Sequence, residues 1–121
     1  MKLPAQILIG LIAILHIYIM YLEMFAWERK GPKVFRNLPK ELFRETKAMA
    51  ANQGLYNGFL AAGLAWTFFI ENPTFRDQVS YFFLGCVMIA GIYGAITVDK
   101  KTVYIQTVPA VIAMFLLAMS L

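Results

Sequence analysis

Four long apolar stretches alternate with short polar ones along this chain. The first runs from Leu3 to about Trp27 with only His16 and Glu23 as ionisable residues, the second from about Met49 to Ile70, the third from Val79 to Val98 and the fourth from Thr102 to Leu121. Each is close to the roughly 20 residues that cross about 30 Å of hydrocarbon. The pattern predicts four transmembrane helices, because lipid leaves backbone groups no partner outside the chain and four strands cannot close a barrel. Gly31, Pro32 and Pro39 punctuate the first loop, Asn72-Pro73 the second and Asp99-Lys100-Lys101 the third. The last two loops are short, so helices two, three and four are expected as antiparallel neighbours. Within the first loop, Pro39 to Lys47 reads as a helix start that runs on into the second span. The first stretch exceeds the 7–15 apolar residues of a signal peptide, and no small-residue cleavage site follows it.

Composition sharpens this picture. Of 121 residues, 60% are apolar and 15% charged, against roughly 45–50% and 25% in a soluble domain. The expectation is one all-α integral membrane domain over residues 1–121, a four-transmembrane-helix bundle with no room for a separate soluble domain. The formal net charge is +4, and seven of the eleven basic residues fall in the first loop, 28–47: Arg29, Lys30, Lys33, Arg36, Lys40, Arg44 and Lys47. Lys100 and Lys101 add two in the third loop, while only Lys2 and Arg76 lie on the other side. That asymmetry places both termini outside and the first and third loops in the cytoplasm. The basic excess then reads as orientation and attraction to anionic headgroups, with a specific anionic substrate as the alternative. A nucleic-acid partner is not expected.

Polar side chains inside spans mark candidate sites, since each needs a partner or a water-filled cavity. His16 and Glu23 are seven apart and share one helix face without touching. The second span contributes Asn52, Gln53, Tyr56 and Asn57, the third Tyr93 and Thr97, and the fourth Gln106. Counting from the helix ends sets Asn57 near the depth of His16 and Gln53 near that of Glu23. All of these converge on the cytoplasmic half. Taken singly, Asn57 or Gln106 reads as interhelical glue, Glu23 as an interfacial residue paired with a first-loop cation, and His16 as an imidazole bonded to Asn57. Gly54 and Gly58 form a G-x-x-x-G, and Gly91, Gly94 and Ala95 thin one face of span three, a pattern that close helix packing explains. Pro109 removes a helical hydrogen bond and predicts a kink that frees the carbonyl of Ile105. The single histidine and single cysteine, Cys86, argue against a metal site, a thiolate cluster or an intramolecular disulfide. The only serines, Ser80 and Ser120, lie near the outer ends, away from His16 in depth, which argues against a serine hydrolase triad.

The run Ala51 to Leu60, the first helix with its histidine and glutamate, and Gln106-Thr-Val-Pro109 together resemble a bacterial family of small four-span proteins known only as a domain of unknown function. The resemblance covers essentially the whole chain and implies a multi-pass protein of the bacterial plasma membrane. More distantly, the layout resembles the MAPEG superfamily of eicosanoid and glutathione metabolism. The shared features are four spans, a long basic first loop, a polar start to helix two ending in Tyr56 and Phe59-Leu60, an Asn72-Pro73 turn and a Gln followed by Pro in helix four. This resemblance implies a homo-oligomer, trimer before dimer, with glutathione or a lipid bound between subunits at the cytoplasmic side. In that alignment Gln53 stands where the superfamily's glutamate would be and Ala50 where its asparagine would be, while Arg44 and Lys47 are displaced. The resemblance therefore carries fold and trimer further than it carries glutathione chemistry.

Three functions follow as expectations. The first is a MAPEG-like membrane protein that binds, and in one version acts on, a lipophilic or amphipathic small molecule at a cytoplasmic-side intersubunit site. Glu23, Gln53, Asn57, Tyr93 and Gln106 would line that site, with His16 and Glu23 as candidate catalytic groups, an imidazole being suited to proton transfer. The second is a small proton-coupled multidrug-type transporter in which Glu23 exchanges a proton for a cation. Against it, Glu23 lies towards one end of its span, whereas a coupling carboxylate is expected close to the midplane. The third is a structural or accessory membrane protein.

Overall fold

A computed structural model describes residues 1–121, and its regular structure is all helical, with no strand. The six α-helices are α1 (Leu3–Phe25), α2 (Trp27–Val34), α3 (Lys40–Glu45), α4 (Lys47–Trp66), α5 (Pro73–Thr97) and α6 (Val108–Ala118). A 3₁₀ turn, Thr67–Phe69, ends α4, and a π-helical segment, Val103–Thr107, leads into α6. Two of these helices, α1 and α5, are long and apolar enough to cross a bilayer. The 20-residue α4 carries Asn52, Gln53 and Asn57 in its first half, and Val103–Ala118 makes a shorter apolar helix.

Several boundaries differ from the apolar runs, each for a local reason. The first run breaks at Ala26, whose φ of −133° and ψ of 21° end α1 before Trp27. The third run begins six residues early: Asn72 accepts the Phe75 N–H at 2.9 Å and Pro73 takes the first helical position, so the turn signal is also a helix cap. In the first loop the chain folds into α2 despite Gly31 and Pro32. Trp27 stacks 4.8 Å from the buried Phe43 and donates its indole N–H to Thr46 Oγ1 at 3.0 Å. A β-carbon on Gly31 would come within 2.7 Å of the Phe43 ring, so tertiary packing overrides the helix-breaking signals. The expected run from Pro39 into the second span is present as α3 and α4, interrupted only at Thr46.

A π-helical segment, Val103–Thr107, stands immediately before the turn that holds Pro109. Proline has no N–H for the carbonyl of Ile105, and widening the preceding turn absorbs the mismatch. Thr102 and Thr107 donate their hydroxyls across to the carbonyls of Gly91 and Met88, each at 2.9 Å. Gly91 permits that approach, since a β-carbon there would lie 2.8 Å from the Thr107 backbone nitrogen.

The interior is built from small side chains, among them Ala5, Ala13, Ala61, Ala110 and Ala113, around Ile9, Leu64 and Leu84. Bulky apolar residues point outward instead, including Leu11 and Ile14 on α1, Phe59 on α4, Phe82 and Ile96 on α5 and Phe115 on α6. Gly54 and Gly58 face α1: β-carbons on them would come within 2.7 Å of Met24 and of Met20 respectively. The Ala5 N–H bonds the Leu121 carbonyl at 3.2 Å, bringing the two ends of the chain to one end of the bundle.

Candidate functional site

The glycine contacts fix the register between α1 and α4, with Gly54 opposite Glu23 and Met24 and Gly58 opposite Met20. This register puts Asn57 level with Glu23. The Asn57 amide donates to Glu23 Oε1 at 2.6 Å and to its own Gln53 carbonyl at 3.2 Å. Counting from helix ends sets Asn57 level with His16; the observed packing displaces that match by about one turn and leaves a position near Ala61 at the depth of His16. Glu23 forms no ion pair. The two salt bridges of the chain are Lys47–Glu28 at 3.5 Å and Lys101–Asp99 at 3.6 Å, so the first-loop cations do not neutralise Glu23.

Beside this pair lies a cavity of about 460 Å³, within the usual range for small-molecule pockets. Glu23, Gln53, Asn57, Tyr93 and Gln106 all line it, brought together from α1, α4, α5 and the π segment. Its walls are otherwise mostly apolar. Along the helices Leu15, Ile19, Ala90 and Gln106 lie towards one end, and Glu23, Thr97 and Lys101 towards the other. Leu15 and Glu23 are eight residues apart on α1, so the cavity extends about 12 Å along that helix. All of this lining belongs to one chain.

Sequence reasoning missed Val34 and Phe35 as lining groups and read Lys101 only as an orientation charge. They come together because the segment after α2 lies over the loop between α5 and the π segment. Asn37 donates to the Val98 carbonyl at 3.0 Å, and the Lys101 ammonium sits 4.9 Å from the Phe35 ring centre. The sequence shows only a basic loop here. Nothing in its periodicity indicates a strap across the end of a cavity.

His16 is absent from the lining. It is fully buried, its Nδ1 donates to the Ile12 carbonyl at 2.9 Å, and its Nε2 has no partner. The structure therefore separates His16 from the five candidate residues that line the cavity, and Asn57 is bonded to the Glu23 carboxyl in place of the imidazole.

Comparison with known proteins supplies no activity. No solved structure matches the chain. The uncharacterized protein YpaA of Lactococcus lactis subsp. lactis (strain IL1403) is 33% identical over 116 residues, covering 94% of this chain and 96% of that one. Residues 10–118 match the family described as Protein of unknown function (DUF1304). With nearly its whole length matched, including both halves of the Glu23–Asn57 pair and every wall of the cavity, the chain belongs to the DUF1304 family.

Proposed function

We propose that this chain is a four-span membrane protein that binds an amphipathic small molecule in the cavity beside Glu23. The outward placement of bulky apolar residues on four helices supports the membrane assignment. In water such a surface is an association hazard, whereas in lipid small residues pack between helices and large ones face the acyl chains. In this arrangement α4 with its 3₁₀ turn, and Val103–Ala118, join α1 and α5 as spans. The basic asymmetry then sets the first and third loops, and with them the polar end of the cavity, on the cytoplasmic side.

The observation that carries the binding function is the uneven polarity of the cavity: Leu15, Ile19 and Ala90 with the single amide of Gln106 at one end, and the Glu23 carboxyl, the Gln53 and Asn57 amides and the Lys101 ammonium at the other. An amphipathic ligand matches such unevenness along its length. The groups facing the cavity hold and orient, and the only imidazole lies outside it, so the function proposed is binding. Glutathione, with two carboxylates, is disfavoured by the Glu23 carboxyl on the wall. The MAPEG-like layout suggests a homotrimer.

Native mass spectrometry of the protein released from bilayer nanodiscs tests both points. A copurifying adduct of small-molecule mass is expected on wild type and lost in Ala90→Phe, which fills the apolar end of the cavity. An adduct unaffected by Ala90→Phe, or none at all, would overturn the binding function, and the oligomer mass reads trimer against dimer or monomer directly.

A further inference from the structure

Only two charged side chains face the cavity, Glu23 and Lys101. Lys101 is already engaged: its ammonium lies 3.6 Å from the Asp99 carboxylate and over the ring of Phe35. Glu23 differs. Its Oε1 accepts from Asn57, its second oxygen has no hydrogen-bond partner in the chain, and no cation pairs with it. A carboxyl so placed, on a wall otherwise made mostly of apolar groups and amides, is the one charge that the protein leaves for a ligand to balance. The apolar end lies about 12 Å away along α1, so a ligand that meets Glu23 with its head directs its tail towards Leu15 and Ala90.

Building on the binding function proposed above, we infer that the ligand is an amphipathic amine, its protonated nitrogen against Glu23 and its apolar tail along Leu15, Ile19 and Ala90. A cationic nitrogen donates a charge-assisted hydrogen bond to the free carboxylate oxygen while Asn57 holds the other. Gln53, one turn before Asn57 on α4, lines the same stretch of wall and adds an amide beside the head. Three heads are discriminated in this way: an ammonium gains an ion pair, a hydroxyl gains one ordinary hydrogen bond, and a carboxylate meets a like charge.

The test compares octylamine, octan-1-ol and octanoate, which share one tail, by isothermal titration into the protein in nanodiscs of zwitterionic lipid. Octylamine is expected to bind about tenfold or more tightly than octan-1-ol, the scale of one charge-assisted hydrogen bond, and octanoate is expected to be weakest. In Glu23→Gln, which keeps an acceptor for Asn57 and so keeps the fold, the amine preference disappears while octan-1-ol binding persists. Equal affinities for the three heads in wild type, or an amine preference unchanged in Glu23→Gln, would overturn the amine assignment and leave an amphiphile site standing. If none of the three binds wild type, the binding function itself falls and the amine assignment with it.

Discussion

The Asn57 amide reaches the Glu23 carboxylate at 2.6 Å because Gly54 and Gly58, flanking it on α4, let that helix lie against Met20 and Met24 of α1. Close packing and polar satisfaction are thus one feature. Small residues bring the backbones together, and the approach supplies the donor that a carboxyl at an apolar helix contact requires.

Removing that donor therefore destabilises the fold. Asn57→Leu leaves Glu23 Oε1 without its partner and should cost about 1–3 kcal/mol, the penalty of an unsatisfied buried polar group. In a Glu23→Gln background the same substitution should cost less, since a neutral amide is cheaper to strand than a carboxylate. A double-mutant cycle by thermal unfolding in detergent measures the coupling. Additive effects would show that the two side chains do not depend on each other.

The glycines should differ in a set order when changed to Ala. Gly91 is the least tolerant, because a β-carbon there meets the Thr107 backbone as well as its hydroxyl. Gly54 follows, with the Met20 carbonyl 3.1 Å from its β-carbon, and Gly58 is milder because it meets only the flexible Met20 side chain. Gly85, with nothing within 4 Å, should be neutral. Costs of about 1–3 kcal/mol are expected where backbone must move, read as loss of thermal stability. Equal effects at Gly85 and Gly91 would contradict the packing described.

The sequence displays the α1 and α5 helices openly, because a run of apolar residues signals a spanning helix whatever it packs against. It displays less of what tertiary contacts decide. Ala26 breaks α1 with no Gly or Pro to announce it, and α2 forms across Gly31 and Pro32 because Trp27 and Phe43 stack. The residues around the cavity are visible as polar groups in apolar runs, since each stands out among its apolar neighbours. Their pairing is not visible: depth counted from helix ends assigns Asn57 to His16, and only the register set by Gly54 and Gly58 assigns it to Glu23. The strap formed by Phe35 and Asn37 rests on contacts with Lys101 and Val98, more than 60 residues away in the chain, which no local pattern encodes.

Topology is tested with single cysteines in a Cys86→Ala background. A cysteine replacing Lys33 should be protected from an impermeant thiol reagent in intact cells, and one replacing Thr74 should be labelled, because basic residues gather on the side of the first and third loops. The reverse pattern would invert the protein and put the polar end of the cavity outside.

His16 and Gln53 should separate stability from binding. His16 makes one hydrogen bond, to a carbonyl within its own helix, and strands its Nε2 in the interior. Replacing it with Leu removes both ring nitrogens at once, so stability should hold or rise slightly. Octylamine binding should be unchanged, because His16 does not line the cavity. Gln53→Leu acts in the opposite sense: it takes an amide from the cavity wall without opening a void, so binding should weaken several-fold, roughly one ordinary hydrogen bond, with little change in unfolding temperature. Titration and thermal unfolding of the two variants side by side measure this. Loss of binding in His16→Leu with unchanged stability would return the imidazole to the site and require the cavity to extend to it.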